Sequence, residues 1–454
     1  MRFLPSILVL GVQAATLPAF AQTAASAPAA SPPAPAPISP LPIRYTASFF
    51  TRYELREGYR DLGRSAGRFQ EGEATAYRAR LGLTTAPMNL GGQVETVLQF
   101  TPQVSGWLGQ TDTIVDYNLG LYEGYLRVQD TAQRVVFDVG RFRMDYGDAL
   151  VIGDLGWHQT GRAFEGLRAR WALDAGWIDT FFTQLSEGRP LSDGFGAGDR
   201  YFYGVYAALG PLVTKTLALD LYALGQTSPK TVSVLDNPSS PMTRTATING
   251  ATELTLGARA KHKVDVFDYR LEADLQFGSR PATARPTVPA TEPAPELESV
   301  KALAYQIDGE VGLSALGGAF RAAAGALVAS GDDVSTSKSE GYNQLYPTAH
   351  KFLGLSDIFG GRSNVFSING SLAYKLGGSL TFMAQPHVLW TMQTQAPGVE
   401  DYTGTELDLH TIYQLGQGLT LRGMYGIFFA NDHGPYQDAG PAHYLELELA
   451  FVLK

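Results

Sequence analysis

Apolar residues recur at every second position over much of this chain, with charged or polar residues in the gaps. In VFDYRLEADLQFGSR (266–280), Phe267, Tyr269, Leu271, Ala273, Leu275 and Phe277 alternate with Asp268, Arg270, Glu272, Asp274 and Gln276. Successive side chains of a strand point to opposite faces, so this period of two predicts a β-strand with one oily and one charged side. A helix would scatter the same residues around its circumference. About eighteen segments carry the pattern. The first nine are 44–56, 74–85, 92–101, 119–129, 134–143, 163–173, 176–185, 200–210 and 215–227. The rest are 252–261, 266–278, 301–314, 318–330, 364–376, 379–392, 404–415, 418–430 and 442–454. Most are near the ~9–11 residues that a tilted strand needs to cross a bilayer.

The connections alternate in length. APMNLGG, QDTAQR, PLVTK, KHKVD, SALGG, KLGG and LGQG are short. REGYRDLGRSAGRFQEGEA, TPQVSGWLGQTDTIVDYN and the stretches 227–251, 279–300 and 331–363 are long. An even number of antiparallel strands, tightly turned at one end and loosely looped at the other, predicts an all-β transmembrane barrel of the outer-membrane kind. Its short turns lie in the periplasm and its long loops outside. Closure pairs every backbone N–H and C=O and leaves no edge in lipid.

The oily faces then meet hydrocarbon, and the charged faces a wet lumen. The reverse is prohibitive, because one Arg or Lys on the lipid side at the midplane costs about 2–4 kcal/mol. A soluble β-sandwich would also alternate, but it explains neither the strand lengths nor the asymmetry of the connections. Tyr201, Tyr203, Trp390, Tyr425, Phe429 and Tyr444, near strand ends, are candidates for interfacial girdles. The last strand turns Leu445, Leu447, Leu449, Phe451 and Leu453 outward and Glu446 and Glu448 inward.

Composition adds a compartment. Met1 to Ala21 read as a secretory signal: Arg2, an apolar run to Leu17, then Ala19-Phe20-Ala21 as an A-x-A cleavage site. Residues 22–42, rich in Ala, Pro and Ser, read as a disordered tether, leaving 43–454 for the barrel. The formal charge of −9 becomes −10 on maturation, since residues 1–21 hold Arg2 and no acid. An acidic chain without a basic tail is no nucleic-acid binder. With no cysteine among 454 residues there is no disulfide or thiolate metal site. The expected setting is a Gram-negative-type outer membrane. Its lipid and lipopolysaccharide, and the barrel-assembly machinery, are then the chain's partners.

Inward faces, read by parity, supply the pore-lining set. Strands one and two give Arg52, Arg56, Arg78 and Arg80, and strand six gives Arg168 and Arg170. Strands eleven and twelve give Asp268, Arg270, Glu272, Asp274, Asp308 and Glu310, and later strands add Glu406, Asp408 and Arg422. In an eighteen-strand barrel, an Arg-rich wall on strands one and two faces a mainly acidic one on strands ten to twelve. Such a transverse field sets selectivity. The plainer reading is that neighbouring charges pair along the wall, as for Glu446 and Glu448 beside the strand-one arginines. Arg78, Arg80, Arg168 and Arg170 show no obvious neighbouring acid in the sequence.

Catalysis finds little support. His158, His350, His387, His410, His433 and His443 are scattered, without an H-E-x-x-H, G-x-S-x-G or P-loop motif. His387 and His410 point inward by parity, away from the lipid a membrane lipase would attack. Asp332, Asp333, Asp432 and Asp438 are solvated loop acids, so no metal, cofactor or catalytic residue is expected.

The run VGRFRMDYGDALVIGDLGWHQTGRAFEGLR (139–168) resembles the signature region of the alginate-export (AlgE-like) outer-membrane barrels. The matching positions are Gly140, Arg141, Tyr146, Gly147, Asp148, Ile152, Gly153, Trp157, Gly161, Arg162, Phe164, Gly166 and Arg168. RYELRE with YRARLGL, 342–364 and 404–429 look like the family too. The resemblance implies an eighteen-stranded barrel that exports an anionic polysaccharide through an arginine-lined pore. The turn LGQG leaves no room for a long periplasmic plug before the seventeenth strand. The loop YGDALVIGDLGWHQTGR (146–162) and the loop 331–363 are expected to fold inward as a constriction, with Arg141, Tyr146, Asp148, Trp157, His158, Arg162, Tyr346, His350 and Lys351 as candidates. Shaping and anchoring the loops is their alternative role. The reading is a passive channel for hydrophilic, anionic solutes or polysaccharide. The alternatives are a general or oligosaccharide-specific porin, or a non-transporting barrel that acts on lipid or adheres.

Overall fold

The computed structural model describes residues 42–453, except 60–61, 63–70, 109–113, 187–198, 236–243, 282–295, 349–350, 395–396, 417 and 438. The signal and all but the last residue of the tether fall outside the described residues. Eighteen antiparallel strands close on themselves. They are β1 Ile43–Glu57, β2 Gly72–Thr85, β3 Val94–Leu108, β4 Ile114–Asp130, β5 Val135–Phe142 and β6 Phe164–Leu173. Then come β7 Gly176–Ser186, β8 Arg200–Ala208, β9 Leu217–Ser228, β10 Ala251–Val264, β11 Phe267–Arg280 and β12 Val300–Ala315. The last six are β13 Phe320–Ala329, β14 Val365–Leu376, β15 Leu380–Thr391, β16 Tyr402–Gly416, β17 Leu419–Ala430 and β18 Ala442–Leu453. Each pairs with its sequence neighbours, and β1 with β18 from Ala47↔Leu453 to Glu57↔His443 seals the cylinder.

Parity governs the two faces. On β11 Phe267, Leu271 and Leu275 are exposed outward, whereas Glu272, Asp274 and Gln276 are buried inward. All eighteen expected strands are found. The third runs seven residues further than its pattern indicated, to Leu108, and the fourth begins at Ile114. Pro102 breaks the alternation because it has no N–H to give the ladder. A bulge between Thr101 and Pro102 absorbs it, and pairing with β4 continues. Tyr444 is no girdle residue: it is buried inward and its hydroxyl donates to Glu446 Oε2 at 2.7 Å.

Some connections are more regular than their composition foretold. Met88–Gly91 adds a short strand against β3. Thr231–Leu235, Arg244–Ile248 and Glu296–Leu297 form a small sheet within the loops 227–251 and 279–300. β-Branched residues at alternate places in TVSVL and RTATI favour it. Gly210–Val213, between β8 and β9, makes one helical turn. Among the described residues no helix is long and apolar enough to cross a membrane; the strands cross it.

Candidate functional site in the lumen

Two long loops turn inward and join. Residues 143–163 leave β5, and residues 330–364 leave β13. Gly153 N–H donates to Tyr346 O at 2.7 Å, Tyr346 N–H to Val151 O at 2.9 Å and Thr348 N–H to Ala149 O at 3.0 Å. Leu150, Val151 and Ile152 of one loop and Tyr342, Phe352 and Ile358 of the other share a core with Phe164, Phe202 and Leu327 of the wall. The wet lumen expected from sequence is therefore filled at this level. Glu272, Asp274, Asp308, Glu406 and Asp408 are buried under the loops.

Cations grip the first loop. Arg52 Nη1 donates to Trp157 O at 2.6 Å, and Arg78 Nη1 to Gly156 O and His158 O at 3.0 and 2.8 Å. Arg80 Nη2 and Gln103 Nε2 donate to Thr160 O at 3.2 and 3.0 Å. The Trp157 ring lies 4.0 Å from the Arg52 guanidinium, and its Nε1 donates to Glu446 Oε2 at 2.9 Å. At the far end Asp148 meets Arg259 at 2.8 Å and Lys261 at 2.9 Å, and Lys351 Nζ donates to Asp148 O at 2.6 Å. Burial alone would raise the Asp148 carboxyl, but Arg259, Lys261 and Lys351 prevail and hold it well below the usual carboxylate range. Tyr146 stacks on Tyr206, centroids 4.4 Å apart, and its hydroxyl donates to Asp179 Oδ2 at 2.9 Å.

Carboxylates and amides grip the second loop. Tyr342 donates its hydroxyl to Asp274 Oδ2 at 3.3 Å, and Asn343 N–H donates to Gln276 Oε1 at 2.8 Å. Leu355 N–H donates to Asp408 Oδ2 at 3.1 Å and Ser356 N–H to Glu406 Oε1 at 2.8 Å. Arg362 Nε donates to Gln306 Oε1 at 3.1 Å, and Nη2 to Leu150 O of the first loop.

The fifteen pore-lining candidates all stand on inward faces, but two expectations about their surroundings change. Arg168 and Arg170 do have acids beside them. Arg168 pairs with Asp138 at 2.5 Å, and Arg127 shares that acid at 2.7 Å; Arg170 pairs with Asp179 at 2.6 Å. Asp138 and Asp179 sit at inward positions of VVFDVG and GWIDTFF, where alternation alone would have found them. Arg52 lies among Glu54, Glu446 and Glu448 at 2.7, 3.7 and 3.6 Å. Arg56 is next to Glu54 at 3.5 Å, and Arg422 pairs with Glu448 at 2.8 Å. Arg270 binds Asp308, and Arg321 bridges Asp268 and Glu310.

Among the constriction candidates, Arg141 is misplaced by the sequence reading. It shares the outward face with Phe137 and Val139, donating to Glu165 Oε1 and to Leu121 O, each at 2.8 Å. Tyr146, Asp148, Trp157, His158, Arg162, Tyr346 and Lys351 do come together in the joined loops, whereas His350 lies outside the described residues. Arg162 Nη1 donates to Pro347 O at 2.8 Å, Tyr346 Oη to Gln226 Oε1 at 3.1 Å, and His158 Nδ1 contacts Thr160 Oγ1 at 2.8 Å. Arg259 and Arg362 were missed. Parity in TLGARAKH marks Arg259, but no period announces Arg362, which sits in a loop.

The profile of the family described as "Alginate export" matches residues 118–440. The chain belongs to the alginate-export family. The matched span takes in both inner loops and thirteen complete strands, β5 to β17. No curated protein matches the chain by sequence. Among solved structures it is similar to Pseudomonas aeruginosa OccK5 (OpdH), with TM-score 0.58 and 14% identity, over 91% of this chain and 98% of that one. P. aeruginosa OccK1 (OpdK) gives 0.60 and 12% over 90% and 98%, and Acinetobacter baumannii OccAB1 gives 0.60 and 12% over 90% and 96%. At such identities the likeness speaks for the fold, a closed outer-membrane barrel.

Proposed function

We propose that this member of the alginate-export family is a passive outer-membrane channel for hydrophilic, anionic solutes or polysaccharide. One observation carries the reading. Arg78, Arg80, Arg162 and Arg362 direct their guanidinium groups to loop carbonyls or amides, with no carboxylate within ion-pair distance among the described residues. Four cations without an ion-pair partner among the described residues, where the joined loops cross the lumen, attract anions and repel cations. Arg78 and Arg80 on β2 stand nine strands from β11, roughly across the barrel, where among the described residues Asp274 accepts hydrogen bonds from the neutral Gln306, Tyr222 and Tyr342 and has no cation at ion-pair distance. A transverse field thus persists although Arg168 and Arg170 are neutralised. Lipid, lipopolysaccharide and the assembly machinery are the surroundings this reading implies.

Planar-bilayer recording tests it. Single-channel conductance with anion preference, lost on Arg78→Glu with Arg80→Glu, is the expected result. The same conductance with weak selectivity, unchanged by the substitutions, would make the chain a general porin. Silence from folded protein would leave a non-transporting barrel.

A further inference from the structure

The β14–β16 wall and the second loop above it gather buried polar atoms that find no hydrogen-bond partner among the described residues. They are Oε2 of Glu406, Oδ1 of Asp408, Nδ1 of His387, Nε2 of His410, and the hydroxyls of Ser356 and Ser367. Such atoms are rare in folded proteins and call for an explanation. Glu406 and Asp408 are two residues apart on β16, share its inward face, and are both buried against the same two loop residues, Leu355 and Ser356. Each already accepts one backbone N–H of the loop through its other oxygen. Gly354 and Gly426 leave the room: a Cβ on Gly354 would lie 2.6 Å from Glu406 Cδ, and one on Gly426 2.8 Å from Asp408 Oδ1.

No Lys or Arg lies within ion-pair distance of either carboxyl among the described residues. From β15, His387 Nε2 stands 3.6 Å from Asp408 Oδ2. On β16 itself His410 follows, and on β17 Arg422 is taken by Glu448. From β18, Glu446 is engaged by Tyr444 and Trp157. Tyr59, from the β1–β2 connection, and Asp357, beside Ser356 in the loop, complete the surroundings.

We propose that Glu406 and Asp408 share one proton as the catch of the second loop, so that residues 353–358 stay seated at acid and neutral pH and loosen as the medium becomes alkaline. With one proton the pair carries a single charge, and its two remaining acceptors hold the backbone N–H groups of Leu355 and Ser356. Protonation of His387 at lower pH sets a cation beside that charge and keeps the seat. Loss of the shared proton puts two like charges side by side in a dry site with no Lys or Arg at ion-pair distance among the described residues. Release of the loop lets water solvate them. The proposal deepens the channel reading and rests on it for its consequence, a conductance that rises with pH, but its test does not.

The chain has no cysteine, so single thiols can be placed at will. Leu353→Cys puts one in the buried seat, and Val334→Cys puts one on an exposed part of the same loop. The ratio of their maleimide-labelling rates in detergent cancels the thiol's own titration. We expect a low ratio at pH 6 that rises about tenfold by pH 9, the effect of one pK unit of linkage. In Glu406→Gln with Asp408→Asn, whose amide oxygens still accept both N–H groups, the ratio should stay low at every pH. Asp408→Asn alone should also be flat, which covers misfolding of the double variant. A flat ratio in the unaltered background, a rise that survives in these variants, or a high ratio throughout would each overturn the proposal. A silent bilayer would overturn only the channel.

Discussion

The two inner loops lie against each other yet are held by opposite chemistry. Residues 143–163 are gripped by arginines that donate to backbone carbonyls and by the Asp148 ion pairs. Residues 342–348 and 351–358 are gripped chiefly by acceptors on the wall that take backbone N–H and tyrosine hydroxyl protons, with Gln276 Nε2 donating in return to Asn343 O. A guanidinium keeps its charge at any biological pH, and its planar fork can serve two carbonyls at once. A buried carboxyl changes its charge with conditions. The first loop is therefore built as a fixture and the second as the part that can answer to its medium.

Breaking the fixture should have the largest effect. Arg52→Met removes the cation that Glu54, Glu446 and Glu448 share and one donor to Trp157 O. Removing one partner of a buried ion pair costs about 3–5 kcal/mol, read as a fall in the unfolding midpoint of the folded barrel. A loss below ~1 kcal/mol would mean that the first loop is not held by this arginine.

The second loop should respond to a methyl group. Gly354 has φ +93°, and its Cβ would meet Glu406. Gly354→Ala should cost about 1–3 kcal/mol of local strain, seen as faster proteolysis within 342–358 with cleavage in 143–163 unchanged. Equal loosening of both loops would erase the contrast. Tyr342→Phe removes one hydroxyl donor to Asp274 and should weaken the same seat by about 1 kcal/mol. Hydrogen exchange at the Asn343 and Leu355 amides checks it.

The smallest effect should come from mild acid on the first loop. The Asp148 carboxyl is depressed by Arg259, Lys261 and Lys351. Its contribution is complete above the unfolded value near ~3.9 and is lost only as pH falls through the lower folded value. In Asp145→Asn, which removes a carboxyl of the same loop that burial pushes up to about 6, amide exchange at Leu150, corrected for intrinsic rates, should therefore stay constant between about pH 4.5 and 7. Loosening in that window would mean that Asp148 is not held by its cations.

The fold was legible because β-alternation is local: each of the segments, such as 266–278, declares its own two faces. Strand ends were less so, as Pro102 shows, since the bulge that rescues it depends on β4 across the ladder. Arg141 failed for the opposite reason. Its family motif suggested a constriction role, while its own parity with Phe137 and Val139 placed it outside. Contacts such as Arg362 to Gln306 and Leu150 have no sequence period, because they exist only once two loops distant in the chain have met.

The seal between the first and last strands has a consequence for the order of assembly. Arg52 and Glu446 stand about 400 residues apart, and joining ends so distant costs about 5 kcal/mol of chain entropy. Their cluster cannot exist until the cylinder shuts, and Trp157 docks on both of them. The Trp157 corner of the first loop therefore locks only after closure, whereas the grips from Arg78, Arg80 and Arg259 lie away from the seam and do not wait for it.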